Sequence, residues 1–135
     1  FFFKQKTAYE IYQCDWSSDV CSSDLERLPF RDASLDAVTC IYLFHELPPR
    51  LRPVVAAEIA RVLKPGGVLV LGDSVQPQDR PDLARLLEAF PAFFHEPYYE
   101  SWCGEDVEGL FGRVALRLVE TDMAFLTKAW AFRRA

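Results

Sequence analysis

The sequence predicts an α/β fold: an open sheet of about four strands, two parallel and the last two antiparallel, with helices packed on it. Three observations carry this. Two continuous apolar runs rich in β-branched and aromatic residues, LDAVTCIYLF and VLVLGD, suit strands covered on both faces. Between them PPRLRPVVAAEIARVLKPGG has helical periodicity, so strand, helix and strand form a βαβ unit with a right-handed crossover and parallel strands. The chain then closes on VALRLVETDMAFLTKAWAFRRA, which reads as two strands with room between them only for a tight, antiparallel connection. With 135 residues, half of them apolar, one domain with a real core is affordable.

Each element has a local reason. Pro29, Asp32 and Ser34 make LPFRDAS a turn before the first strand. In the first helix Leu51, Val55, Ile59, Val62 and Leu63 form the apolar stripe over about four turns, and Arg50, Arg52, Glu58 and Arg61 fall largely elsewhere. Its prolines lie in the first turn, where a missing N–H costs nothing, and Lys64-Pro65-Gly66-Gly67 ends it. A second helix follows Asp79-Arg80-Pro81, with Leu83, Leu86, Leu87 and Phe90 inward and Pro91 as its stop. AFFHEPYYESW reads as an aromatic loop, and GEDVEGLF as a short helix burying Val107, Leu110 and Phe111. Asp122 is the best turn former of the closing stretch, which places the break between the last strands within 120–127.

Composition excludes several classes of function. A net charge of −5 offers no basic footprint for phosphates, so nucleic acid is not the expected partner. No apolar run reaches the roughly 18 to 20 residues of a membrane span, and Phe1–Phe3 is too short for a signal peptide, so a cytoplasmic protein is expected. Cys14, Cys21, Cys40 and Cys103 match neither zinc nor redox spacing; Cys40 reads as a small buried apolar residue and Cys103 as a free thiol. With His45 and His95 as the histidines, no metal site is expected, and one would have to gather scattered ligands.

In open α/β sheets ligands bind beyond the carboxyl ends of the parallel strands, here Tyr42-Leu43-Phe44-His45-Glu46 and Gly72-Asp73-Ser74. His45 is either a ligand-facing acid/base group or a partly buried histidine closing the strand-to-helix turn. Asp73 reads as a turn or capping residue, since Asp-Ser is common there. Gly66-Gly67 is not a phosphate loop, because it follows a helix and precedes a strand. Phe90, Phe93, Phe94, Tyr98, Tyr99 and Trp102 would line a pocket or, for most of them, cover the end of the sheet.

LPFRDASLDAVTCIYLFHEL followed by EIARVLKPGGVLVLGDS resembles the later half of class I S-adenosylmethionine-dependent methyltransferases of the small-molecule, UbiE-like type (methyltransferase type 11 domain). The likeness is closest at Leu28-Pro29-Phe30, Ser34-Leu35-Asp36 and Arg61 to Gly67, and it extends over residues 26–135. It implies a Rossmann-like methyltransferase fold truncated to about its last four strands, S-adenosyl-L-methionine as cofactor and a small-molecule substrate. It places Leu28 and Pro29 near the adenine, Tyr42 and Leu43 beside the methionine portion, and His45, Tyr98 and Tyr99 toward the substrate. Because the sulfonium is already activated, alignment can supply much of the catalysis, and no catalytic residue is assigned. The alternatives are a catalytically empty Rossmann-like binding domain and a fragment of a nucleotide-dependent oxidoreductase.

The family's G-x-G-x-G loop and ribose-binding acid should lie upstream of Glu26, and nothing there resembles them. Instead KQKTAYEI and DWSSDVCSSDL resemble the conceptual translation of sequencing-adapter DNA, the first from AAG CAG AAG ACG GCA TAC GAG AT. Residues 1–25 are therefore expected to be a non-native segment, which disqualifies Asp24 as a cofactor ligand, and residues 26–135 the methyltransferase part. The run from Asp36 to Phe44 would then present an open, apolar sheet edge, and the fragment is expected to be inactive alone and to aggregate.

Overall fold

The computed structural model describes residues 8–10, 25–93 and 96–135. Strands β1 (Ala8–Glu10), β2 (Leu35–Ile41), β3 (Leu63–Ser74), β4 (Leu116–Ala124) and β5 (Thr127–Arg134) form one sheet in the order β1-β2-β3-β5-β4. β1, β2 and β3 run parallel, and β5 is antiparallel to both β3 and β4. The four expected strands and their directions are thus present. The expected open edge of β2 is covered in part, since β1, drawn from the adapter-like segment, pairs with Ala37, Val38 and Thr39.

Helix α1 (Arg52–Val62) is shorter than the four turns expected, because Leu63 already has extended backbone and pairs with Leu35. Lys64 to Gly67 is not a loop but the start of β3, where the pairing register with β2 shifts between Leu35 and Ala37. Gly66 takes φ +79°, and a Cβ on Gly67 would stand 2.8 Å from the Lys64 carbonyl oxygen, so both glycines are needed for this bulge. α1 buries Val55, Ile59 and Val62 as expected. It also buries Arg52 and Glu58, which the amphipathic pattern assigned to the polar face.

Val38, Cys40, Leu69 and Leu71 pack with Val55, Ile59, Trp102, Phe111, Trp130 and Phe132 in one core. Coverage on both faces does not hold: Ile41 is exposed and Val68 and Val70 are half-buried, because the core helices seal a single face of the sheet. Helix α2 (Ala84–Phe93) runs through Pro91 instead of stopping there; the proline, which has no N–H to give the Leu87 carbonyl, costs the ladder one bond two residues before the helix ends. Of its predicted stripe Leu87 is buried and Leu86 exposed. Within the stretch read as a loop lies helix α3 (Tyr99–Cys103), and α4 (Val107–Gly112) follows, capped by Asp106, which accepts from the Gly109 N–H at 2.9 Å. The β4–β5 turn falls at Phe125 and Leu126, inside the predicted window but beyond Asp122. No helix among the described residues is long and apolar enough to cross a membrane.

Candidate functional site

The site forms where β2 and β3 end together. Ile41 is in register with Gly72, and the Tyr42 N–H donates to the Gly72 carbonyl at 2.7 Å, so the chain beyond β2 passes directly over Asp73. Tyr42 has φ +51°, a left-handed conformation unfavourable for a tyrosine, and it swings the backbone into the 3-10 turn Phe44–Glu46. Phe44 anchors that turn by packing against Phe111 (5.2 Å between ring centroids) and Trp102 (6.4 Å).

Asp73, read from the sequence as a turn residue, is instead a fully buried strand residue at the centre of the site. Its Oδ1 lies 2.6 Å from His45 Nδ1 and accepts from the Ser74 N–H at 2.8 Å. Oδ2 accepts from the Phe44 N–H at 3.1 Å and the His45 N–H at 3.4 Å. With Asp73 as the acceptor for the Nδ1–H, the neutral form of the ring carries its lone pair on Nε2. That nitrogen faces Glu46 Oε1 at 3.5 Å and Glu96 Oε2 at 3.8 Å. Burial alone would lower the pKa of His45, but the Asp73 hydrogen bond and the charges of Asp73, Glu46 and Glu96 outweigh it and raise it above the usual histidine value. Glu46 is also raised, first by burial and then by Glu96.

Tyr42 and Tyr99 hold the imidazole edge-on, with centroids 6.2 and 6.0 Å away. Buried Arg52 ties the layers together: its Nε donates to the Phe44 carbonyl at 3.1 Å, and its guanidinium reaches Glu105 at 2.9 Å, Ser101 Oγ at 2.8 Å and the Tyr98 carbonyl at 3.1 Å. Trp102 Nε1 donates to the Ser74 carbonyl at 3.2 Å, and the Gln76 amide donates to the carbonyls of Trp102 and Glu105. α3 is thereby clamped over the strand ends as a fixed wall.

Of the residues named from the sequence, the structure brings Tyr42, Leu43, His45 and Tyr99 to one place. Tyr98 is half-buried and contributes its carbonyl to Arg52, and among the other aromatics Trp102 is core and Phe93 is exposed. Leu28 and Pro29 are elsewhere. They line a cleft of about 620 Å³ with Arg27, Phe30, Glu58 and Arg61, and the Leu28 N–H donates to Glu58 Oε1 at 2.7 Å near the carboxyl end of α1, where β2 begins. Cys40 is buried and Cys103 half-buried, both as free thiols, while Cys14, Cys21, Asp24, Phe94 and His95 lie outside the described residues. The partnership of Asp73 with His45 had no local signal; it could be found only by aligning the ends of two parallel strands.

The profile of the "Methyltransferase domain" family matches residues 4–71. The 27-O-demethylrifamycin SV methyltransferase of Amycolatopsis mediterranei is 45% identical over 51 residues, 38% of this chain and 18% of that protein. The tRNA N(3)-methylcytidine methyltransferase trm140 of Schizosaccharomyces pombe is 33% identical over 97 residues, 71% of this chain and 30% of that protein. The chain therefore spans less than a third of these relatives. A solved 1,6-didemethyltoxoflavin-N1-methyltransferase of Burkholderia thailandensis, with 1,6-didemethyltoxoflavin and S-adenosylhomocysteine bound, shares the fold at a TM-score of 0.56 and 11% identity, over 82% of this chain and 48% of that one.

Proposed function

The chain belongs to the methyltransferase-domain family, and we propose that a protein carrying it methylates a protic nucleophile of a small molecule, with His45 as proton acceptor. The observation that supports this most directly is the buried Asp73–His45 pair, 2.6 Å apart at the carboxyl ends of two parallel strands. Bound S-adenosylmethionine would supply a methyl carbon on a positively charged sulfur. Tyr42 and Leu43 would flank its methionine portion, a reading supported by the apolar surface that Ile41 and Tyr42 leave exposed at the end of β2. The sequence holds no G-x-G-x-G run, so the described residues fit one end of that cofactor and not its phosphate-free ribose and adenine end. The adenine contact of Leu28 and Pro29 rests on the resemblance alone.

His45 Nε2 would take the proton of the acceptor as its oxygen or nitrogen bonds to the methyl carbon and the carbon–sulfur bond breaks, that bond's electron pair leaving on the now neutral sulfur. Asp73 keeps the Nδ1–H and offsets the charge of the imidazolium that forms. Tyr42 and Tyr99 fix the ring plane, and α3 excludes water from one side. Glu46 and Glu96 at the mouth disfavour a phosphate-rich acceptor, which supports a small molecule over RNA although one relative is named for tRNA. In a protein joining this chain to a complete glycine-loop half, His45→Gln lowers kcat by about 10²- to 10⁴-fold and leaves the cofactor KM within a few-fold. Undiminished turnover in that variant overturns the assignment.

A further inference from the structure

Around His45 Nε2 stand two carboxylates that satisfy neither it nor themselves. Nitrogen-to-carboxylate hydrogen bonds run at about 2.7–2.9 Å, yet Nε2 is 3.5 Å from Glu46 Oε1 and 3.8 Å from Glu96 Oε2. Glu96 Oε2 is buried and, among the described residues, has no hydrogen-bond partner. Neither glutamate is paired with a lysine or arginine among the described residues. The His45 side chain is itself only 10% exposed, with its other nitrogen committed to Asp73.

These spacings are long for hydrogen bonds and close to those an ion imposes on its ligands. Around a tetrahedral ion with bonds of about 2.0–2.2 Å, neighbouring donor atoms stand roughly 3.3–3.6 Å apart; Nε2 and Glu46 Oε1 already stand 3.5 Å apart, and Glu96, 3.8 Å from Nε2 and with the three donor atoms within 4.8 Å of one another, completes the set by a small inward side-chain movement. We propose that His45 Nε2, Glu46 and Glu96 bind a divalent transition-metal ion of the zinc class, with its fourth position open to water. The carboxylate–histidine–metal arrangement is completed by Asp73, which fixes the tautomer and orientation of the ligand imidazole. Two carboxylates neutralise the dication, and a mixed nitrogen and oxygen set favours zinc, cobalt or manganese over calcium or magnesium. The sequence spacing gave no metal motif because Glu96 reaches the other two ligands from a different part of the fold. This inference deepens the reading of His45 as proton acceptor, since the ion takes the lone pair that the acceptor's proton would use, and zinc is then an inhibitor of methyl transfer.

The test titrates zinc and cobalt(II) into the 135-residue chain carrying Cys14→Ser, Cys21→Ser and Cys103→Ser, which leaves buried Cys40 as its one thiol, with folding followed by circular dichroism. One equivalent of zinc binds, and cobalt gives the intense visible bands of a tetrahedral site. Glu96→Gln, an isosteric change at the mouth, weakens binding at least tenfold, and Asp73→Asn weakens it by about 10- to 100-fold. A folded chain that binds no zinc, or that binds it equally well in Glu96→Gln and Glu46→Gln, overturns the site. The readout involves no turnover, so it stands apart from the His45→Gln kinetics that test the methyl-transfer reading.

Discussion

His45 is pulled both ways, toward neutrality by burial and toward its charged form by Asp73, Glu46 and Glu96, and the charges win. Among the described residues, the groups that face it are those three acids and the rings of Tyr42 and Tyr99. Its folded pKa lies above the unfolded value, so the stability it contributes is fully present below about pH 6.5 and is lost as pH rises through the folded value. Glu46, also raised, acts in the same direction. In the presence of a chelator the chain is therefore expected to melt at a lower temperature at pH 8 than at pH 6, and Asp73→Asn should flatten that slope; an equal slope in the variant counts against the pairing. The same raised pKa predicts methyl transfer that increases with pH through it, because the acceptor role needs the neutral ring. The strand-end rule found His45 in the sequence. It could not find the role of Asp73, because an Asp-Ser after an apolar run looks the same whether it turns the chain or fills the core.

Among the elements, α1 illustrates why amphipathic pattern alone misplaced two polar side chains. Arg52 is buried because its guanidinium finds acceptors on the Phe44 turn and on α3, partners that exist only once both have docked. Arg52→Ala strands those acceptors and the Glu105 carboxylate, and should cost about 3 kcal/mol in denaturant unfolding, whereas loss of less than 1 kcal/mol would show the clamp to be dispensable. α4 was legible because its cap, its apolar spacing and its glycine agree locally. Asp106 holds the Gly109 N–H, and a Cβ at Gly109 would stand 2.0 Å from Asp106 Oδ2. Gly109→Ala is thus expected to expel the cap and destabilise by about 1 kcal/mol, visible as a lowered melting temperature. α3 and the continuation of α2 through Pro91 were not legible, since a five-residue helix has little periodicity and its order comes from the bonds of Arg52, Gln76 and Trp102.

For the molecule as a whole, the sheet leaves two exposed borders. Among the described residues β1 pairs with three residues of β2, with Ile41 and Tyr42 exposed beyond them, and β4 exposes Val119 and Met123 with Phe125 in its turn. Unpaired apolar edges template association. The chain is expected to associate in a concentration-dependent way by light scattering, and Val119→Lys to reduce this; a soluble monomer with a cooperative thermal transition would contradict the expectation. Calorimetry should likewise find no micromolar binding of S-adenosylmethionine by this chain alone, since the glycine loop is missing from its sequence. The sequence by itself determined the order of strands and helices, the parallel βαβ unit, the closing antiparallel pair and the family, because these follow from periodicity, breakers and short-range chemistry. Only the tertiary structure decided which polar residues are buried and which of them meet. Asp73 and Glu96 are 28 and 51 positions from His45, and Arg52 reaches Ser101 across 49, and these partnerships depend on strand register and on the docking of α3, which no local pattern encodes.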